Sequence, residues 1–252
     1  MAWGILANAV TTAIAASAYG TAAVAARRRQ RRLGAASALP LLFSVVALYL
    51  LVASLRQFAA WQSTDHPSWV DVDRALYYVV VVPAALAIVP HMQVVSLVAW
   101  GKPRLAALVA LVFLAVAATG IAFVYVEGIH GPETSEYGTD WTINSPVTKL
   151  VLLGGIMLPG LVGSAALITM AGGLDAAGKR RVSLVGWSMA AYFAVFTLDA
   201  FGLTGLSLLG ARLATAGTGA LAWWAYREPS AKGQVYAPPL EPDQMMYERV
   251  DR

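Results

Sequence analysis

The stretch DVDRALYYVVVVPAALAIVPHMQVVSLVAWG, residues 71–101, decides the fold. It opens with Arg74 among aspartates and continues as an apolar run long enough to cross the hydrocarbon core of a bilayer. Polar or helix-breaking residues interrupt this run: Tyr77, Tyr78, Pro83, Pro90, His91 and Gln93. Unsatisfied polar groups in lipid cost several kcal/mol. We therefore expect this helix to face protein and to lie at the centre of a membrane bundle.

The composition of the whole chain indicates a membrane protein. Of its 252 residues, 58% are hydrophobic and 13% are charged, whereas soluble domains carry about 25% charged residues. The chain contains no cysteine, which excludes disulfides, thiolate metal sites and thiol catalysis. The net charge of +4 follows from where the basic residues lie relative to the membrane, and it does not indicate nucleic-acid binding.

Apolar runs of roughly 20 residues predict seven membrane spans. They lie at about residues 3–26, 34–55, 77–100, 104–126, 148–172, 183–203 and 206–226. Most lysines and arginines lie on one side, in the connections after spans one, three and five and in the C-terminal tail. By the positive-inside rule that side is cytoplasmic and the N-terminus is outside. The predicted fold is an all-α seven-transmembrane helix bundle over 1–227, followed by a disordered cytoplasmic tail over 228–252.

Two outer connections and one interrupted span add detail to this bundle. Residues 56–73 are expected to form an outer loop, and residues 127–146, EGIHGPETSEYGTDWTINSP, predict a short hairpin over the outer face. The acidic residues of this second connection show no recognised ligand spacing, so we expect no metal site. Gly154-Gly155 and Pro159-Gly160 predict a kink in span five, with neighbouring helices satisfying the freed carbonyls.

Two charged residues lie in the interiors of predicted spans, Asp199 in span six and Arg212 in span seven. A tight turn between these antiparallel helices brings both to a similar depth, which predicts an ion pair. In the structural interpretation, the ion pair holds the bundle together, or Arg212 extends to the outer headgroups instead. In the functional interpretation, the two residues form one wall of an outward-facing polar pocket. Other polar residues lie at a similar depth: Arg56, Arg74, Tyr77, Tyr78 and Glu127.

His91 lies near mid-membrane in span three. One interpretation is a buried histidine that bonds to a neighbouring helix at the kink left by Pro90, and the alternative is a proton-linked or quinone-contacting role. Haem binding by this chain alone is not expected, because neither His66 nor His130 lies within a span to supply a second axial ligand. No hydrolase triad, phosphate-cradling loop or paired catalytic carboxylates are evident, so we expect no enzyme activity.

Several of these residues resemble microbial rhodopsins. In that family the third helix begins with an arginine that a proline follows nine residues later, and Arg74 and Pro83 have this spacing. The sixth helix of the family carries a Trp-Ser-x-Tyr cluster after basic residues, and Trp187-Ser188 with Tyr192 is similar although the tyrosine comes two residues late. The resemblance implies an opsin-like bundle around an internal pocket.

The chain departs from the rhodopsins at the residues that carry their chemistry. Thr215, just before Gly217-Thr218-Gly219, stands where the family has its retinal lysine. Every lysine of the chain lies outside the span interiors, so no covalent retinal is expected. Tyr77 stands at the counter-ion position of the proton pumps, which excludes light-driven pumping by that route.

A second resemblance is to the seven-helix sensor region that precedes some bacterial histidine kinases. Arg74-Ala75-Leu76-Tyr77, Pro83 and His130 are similar to the Arg-x-x-Tyr, the helix prolines and the histidine-containing outer loop of those regions. This resemblance implies sensing without catalysis. No kinase domain is expected after residue 252, so we expect a signal to pass to a separate partner.

The sequence thus favours a non-enzymatic, opsin-like membrane protein that binds a small ligand or senses a signal and passes it to a partner. We expect the ligand to contact Arg74, Tyr77, Tyr78, His91, Trp187, Tyr192, Phe196, Asp199 and Arg212. The alternative is an accessory subunit of a respiratory or photosynthetic complex that contacts quinone, carotenoid or partner helices. A transporter is less favoured because no inverted repeat is evident. The expected location is a prokaryotic cell membrane, with the bilayer, a signalling partner or larger complex, and a second copy of the chain as the partners considered.

Overall fold

The structure is a computed structural model that describes residues 2–33, 38–143, 145–200 and 206–227. Its α-helices are α1 (Ala2–Leu33), α2 (Ala38–Gln62), α3 (Trp69–Leu86), α4 (Ile88–Trp100), α5 (Pro103–Glu127), α6 (Pro146–Leu152), α7 (Leu158–Met170), α8 (Ala176–Ala200) and α9 (Leu206–Arg227). Within these ranges the strands form one antiparallel hairpin of β1 (His130–Ser135) and β2 (Gly138–Thr142). The chain is mostly helical, as the sequence predicts. The predicted disordered tail, 228–252, lies outside the described residues.

Five helices in the described part of the chain are long and apolar enough to cross a membrane. They cover Trp3–Arg28, Ala38–Gln62, Trp69–Trp100, Pro103–Glu127 and Pro146–Gly173. They coincide with the first five predicted spans and indicate a multi-pass membrane protein. The remaining two predicted spans fall on α8, of 25 residues, and α9, of 22 residues.

Helices α3 and α4 are two parts of one rod that is interrupted at Ala87. Pro90 has no N–H to donate to the carbonyl of Leu86, so the regular ladder of hydrogen bonds fails at this point. The Ala87 N–H donates to the carbonyl of Pro83 at 3.1 Å, and α4 begins at the next residue, Ile88. The interruption lies halfway along the rod.

Where the sequence predicts a kink in span five, the structure has a π-helical segment, Leu153–Met157, between α6 and α7. Pro159 at the start of α7 has no N–H to donate. The wider turn of the π-helical segment before it accommodates the missing hydrogen bond. The segment also approaches α5 closely, because a Cβ added at Gly155 would meet Val116 Cγ1 at 2.7 Å. Helix α6, the π-helical segment and α7 therefore form a second interrupted rod, which lies beside the rod of α3 and α4.

The predicted hairpin is also confirmed, and it covers one end of the bundle. Gly138, Thr139 and Trp141 of β2 are buried, whereas β1 is mostly exposed. Asn8 in α1 donates to the carbonyl of Tyr137 at 2.9 Å and so attaches the turn to the helices. We call this end of the molecule the hairpin end.

Helices α2 and α3 reach further toward the hairpin end than the sequence predicted. Residues 56–73 were expected to form a loop, but α2 continues to Gln62 and α3 begins at Trp69. The prediction was wrong because it ended each helix where the apolar run ended. The hairpin lies against these helix ends and supplies hydrogen-bond partners for their polar residues, so the helices extend beyond the apolar run.

Candidate functional site

A cavity of about 300 Å³ lies beneath the hairpin. Its walls come from α2, α3, α6 with the π-helical segment, α8, α9 and β2. Most of the wall is apolar, with Val80 and Val81 of α3 facing Leu153 and Met157 of the interrupted rod. The polar members of the wall are Tyr49, Arg56, Tyr77, Asp140, Trp141, Thr142, Lys149 and Arg212.

Arg56 is a buried charged residue of this wall, with 6% of its surface exposed. Its Nη2 donates to the carbonyl of Thr139 at 3.0 Å, and its guanidinium lies 5.4 Å from the ring centre of Tyr77. Nη1 lies 3.8 Å from Asp140 Oδ1, which is an ion-pair distance beyond hydrogen-bonding range. Among the described residues Nη1 has no hydrogen-bond acceptor.

The hairpin is fixed above the cavity by a buried carboxyl group. Asp73, which is 1% exposed, accepts hydrogen bonds from Thr139 Oγ1 at 3.0 Å and from Trp141 Nε1 at 2.9 Å through the same oxygen, Oδ2. Gln57 Nε2 adds a weaker bond to the carbonyl of Thr139 at 3.3 Å. Charge-assisted bonds are the stronger kind, so Asp73 holds β2 firmly against α2 and α3.

Arg212 is the second buried arginine of the wall, with 4% of its surface exposed. Its Nη1 donates to the hydroxyl of Tyr49 at 3.3 Å. The ring of Tyr49 in turn packs edge-on against Tyr192 at 5.6 Å and against Phe196 at 6.1 Å. The side chain of Asp199 is outside the described part of the structure, so its predicted ion pair with Arg212 stays a prediction.

The structure brings three of the predicted ligand-contacting residues to the cavity wall. Tyr77, Phe196 and Arg212 line it directly. Tyr192 lies one layer behind, buried and stacked on Phe196 with 6.4 Å between ring centres. These four residues come from α3, α8 and α9.

Three other predicted residues point elsewhere. The guanidinium of Arg74 lies 5.9 Å from the ring centre of Trp141, outside the set of side chains that line the cavity. Tyr78 packs against Tyr125 with 5.1 Å between ring centres. Trp187 is 59% exposed on the surface of α8, which is where a lipid-facing aromatic lies. The rhodopsin-like position of Trp187 therefore does not give it a pocket-lining role here.

His91 lies deeper in the bundle and is separate from the cavity. Its Nε2 is 3.1 Å from the carbonyl of Gly160 in α7, and Ser164 Oγ donates to the same carbonyl at 2.7 Å. The imidazole packs on Phe193 with 5.1 Å between ring centres and is fully buried. This is the bond to a neighbouring helix that the structural interpretation of His91 predicted, and it joins the two interrupted rods.

Most of the polar residues of the cavity wall were not predicted from the sequence to contact a ligand. Arg56 was placed at the right depth but not among the ligand contacts, and Tyr49, Asp140, Trp141 and Lys149 were not predicted to contact a ligand at all. Three of these come from the hairpin and the start of α6, which fold back over the helices. The sequence predicts that the hairpin lies over the outer face, but it does not show which helix residues the hairpin contacts.

The described part of the wall offers apolar surface and positive charge. Within the described residues no group of three or more histidines and carboxylates is arranged to hold a metal ion. The wall combines apolar side chains with two buried guanidinium groups, which suits recognition of a small molecule by shape and charge. No family model, curated protein or solved structure matches this chain.

Proposed function

We propose that this chain is a non-enzymatic, opsin-like seven-helix membrane protein that binds a small ligand in the cavity and passes a signal to a partner. The observation that carries the proposal is the cavity of about 300 Å³ with the buried Arg56 and Arg212 in its wall. Ligand sites typically measure about 300–1,000 Å³ and combine apolar walls with a few convergent polar groups. This cavity is at the lower end of that range, which favours a small ligand.

The proposed topology has α8 and α9 as the sixth and seventh spans, with the hairpin end outside. Both helices reach the length of roughly 20 residues that a span needs. The connections opposite the hairpin carry the basic residues Lys102, Arg104, Lys179, Arg180 and Arg181. The positive-inside rule assigns that side to the cytoplasm, so a ligand enters from outside and the partner binds inside.

The sensing part of the proposal is supported by where the interrupted rods lie. The cavity touches α3 on one rod, and α6 with the π-helical segment on the other. Both rods continue past their interruptions, as α4 and α7, toward the basic connections. A ligand that changes the packing of the cavity wall thus acts on helices that reach the other side of the bundle.

The test fills the cavity and examines what copurifies. Val81→Trp places an indole in the cavity wall, whereas Val79→Trp makes the same change on the same helix at a residue that is 49% exposed. Organic extracts of the purified wild type and both variants are compared by untargeted mass spectrometry. We expect a small molecule in near-equal molar amount in the wild type and Val79→Trp that is lost in Val81→Trp. Extracts that are alike in all three proteins would contradict the proposal.

A further inference from the structure

The described side chains of the cavity wall have an excess of positive charge. Among them Arg56, Lys149 and Arg212 are cationic, and Asp140 is the one carboxylate. Asp73 does not line the cavity; it interacts electrostatically with Arg56 and is bonded to the hairpin through Thr139 and Trp141. A positive wall of low polarity attracts an anion more strongly than the same charges would in water.

Arg56 contributes to this wall a guanidinium with one unsatisfied donor. Arg56 donates a hydrogen bond to the carbonyl of Thr139, and its guanidinium lies over the ring of Tyr77. Its Nη1 is buried and lacks an acceptor among the described residues, because Asp140 Oδ1 at 3.8 Å is too distant for a hydrogen bond. A buried donor without an acceptor is unfavourable, and an oxyanion is the group that a guanidinium binds best.

The rest of the wall selects for an apolar body. Val80, Val81, Leu153, Met157 and Phe196 surround the space below the arginines. A cation is disfavoured, because the face of Tyr77 that would attract it already carries the Arg56 guanidinium. A fully hydrophilic anion would leave the apolar wall unused.

We propose that the cavity binds an anionic amphiphile, with its oxyanion head on the Arg56 guanidinium and its apolar chain against α3 and the π-helical segment. This inference rests on the proposed function, because it names the ligand class of the same cavity. Lys149, which is exposed on α6 at the cavity wall, adds positive charge where the head enters. A carboxylate or a phosphate monoester supplies the same head chemistry, so the test includes both.

The test uses the full chain in nanodiscs of zwitterionic phosphatidylcholine. Thermal unfolding is followed while decanoate, decyl phosphate, decanol or decylamine is added at equal concentrations. We expect saturable stabilisation by decanoate, decyl phosphate or both, and none by decanol or decylamine, since only the anions engage Arg56. The more stabilising anion identifies the head group that the site prefers.

Variants separate the site from general effects on the membrane. Arg56→Gln is expected to weaken binding of the anion by about tenfold or more, because one charged hydrogen bond is lost. Arg56→Lys keeps the charge but loses the planar fork, so it should give an intermediate affinity even if Arg56→Gln folds poorly. Arg104→Gln removes the same charge from an exposed residue at the opposite end and should bind like the wild type.

The outcomes distinguish this inference from the function on which it rests. Equal stabilisation by decanol and decanoate, lost in Val81→Trp, would keep the ligand-binding cavity but refute the anionic ligand. Stabilisation by the anions that survives both Val81→Trp and Arg56→Gln would place binding outside the cavity and refute the inference. If none of the four compounds stabilises the wild type, the inference fails, and the copurification test still decides the proposed function by itself.

Discussion

The hydrogen bond between Trp141 and Asp73 offers the sharpest test of how the hairpin is attached. Trp141→Phe keeps a ring in the wall but removes the Nε1 donor, which lies 2.9 Å from Asp73 Oδ2. Both residues are buried, at 5% and 1% exposure, so water cannot replace the lost partner easily. A hydrogen bond to a charged group contributes about 1.5–3 kcal/mol, and we expect the variant to lose that much free energy of unfolding.

The smaller ring adds a packing loss of its own, and a double-mutant cycle removes this contribution. Asp73→Leu deletes the acceptor, and the cycle compares Trp141→Phe in the presence and absence of the carboxyl group. We expect a coupling energy of about 1.5–3 kcal/mol, because the indole donor has no acceptor to lose once Asp73 is gone.

The free energies are measured by reversible unfolding in mixed micelles of a mild detergent and dodecyl sulfate, followed by circular dichroism. Trp100→Phe, at a residue that is 55% exposed, is the matched control and should show no coupling to Asp73. A coupling energy below about 0.5 kcal/mol for the Trp141 pair, within the usual error of additivity, would refute the role assigned to this bond.

Two further predictions concern packing and topology. Gly160→Ala places a Cβ about 2.5 Å from the ring of Phe193 and should lower the free energy of unfolding by about 1–3 kcal/mol through overpacking. The control is Gly154→Ala, whose Cβ meets nothing within 4 Å. It should be neutral or slightly stabilising in the same unfolding assay. Because the chain has no cysteine, single cysteines report topology: Thr64→Cys, at the hairpin end, should react with a membrane-impermeant maleimide on intact cells and Gly172→Cys, at the opposite end, should not. The reverse labelling would overturn the proposed orientation.

The features of this fold that follow local rules could be predicted from the sequence. Apolar length located the first five spans, and Pro159 with its neighbouring glycines located the irregular turn of span five. The turn-forming residues of the connection before span five indicated the hairpin. Each of these depends on residues that are close together in the chain, so the pattern alone was sufficient.

The candidate site was predicted less well, because it depends on contacts between distant residues. Arg56 and Asp73 looked like loop charges, since the apolar runs end beside them. They lie inside helices because Thr139 and Trp141, far along the chain, supply their hydrogen bonds. Trp187 was predicted wrongly in a different way. Its motif is present in the sequence, but the side chain lies on the exposed face of the helix.

The attachment of the hairpin through Asp73 also has a consequence for how the protein is made. The carboxyl group of Asp73 and its partner Thr139 are separated by 66 residues. At about 5–20 residues per second, a ribosome needs roughly 3–13 s to synthesise that interval. During this time the ends of α2 and α3 have left the ribosome without their polar partners and must stay in contact with water. The insertion machinery therefore handles an unfinished bundle whose cavity closes only after α5 has crossed the bilayer.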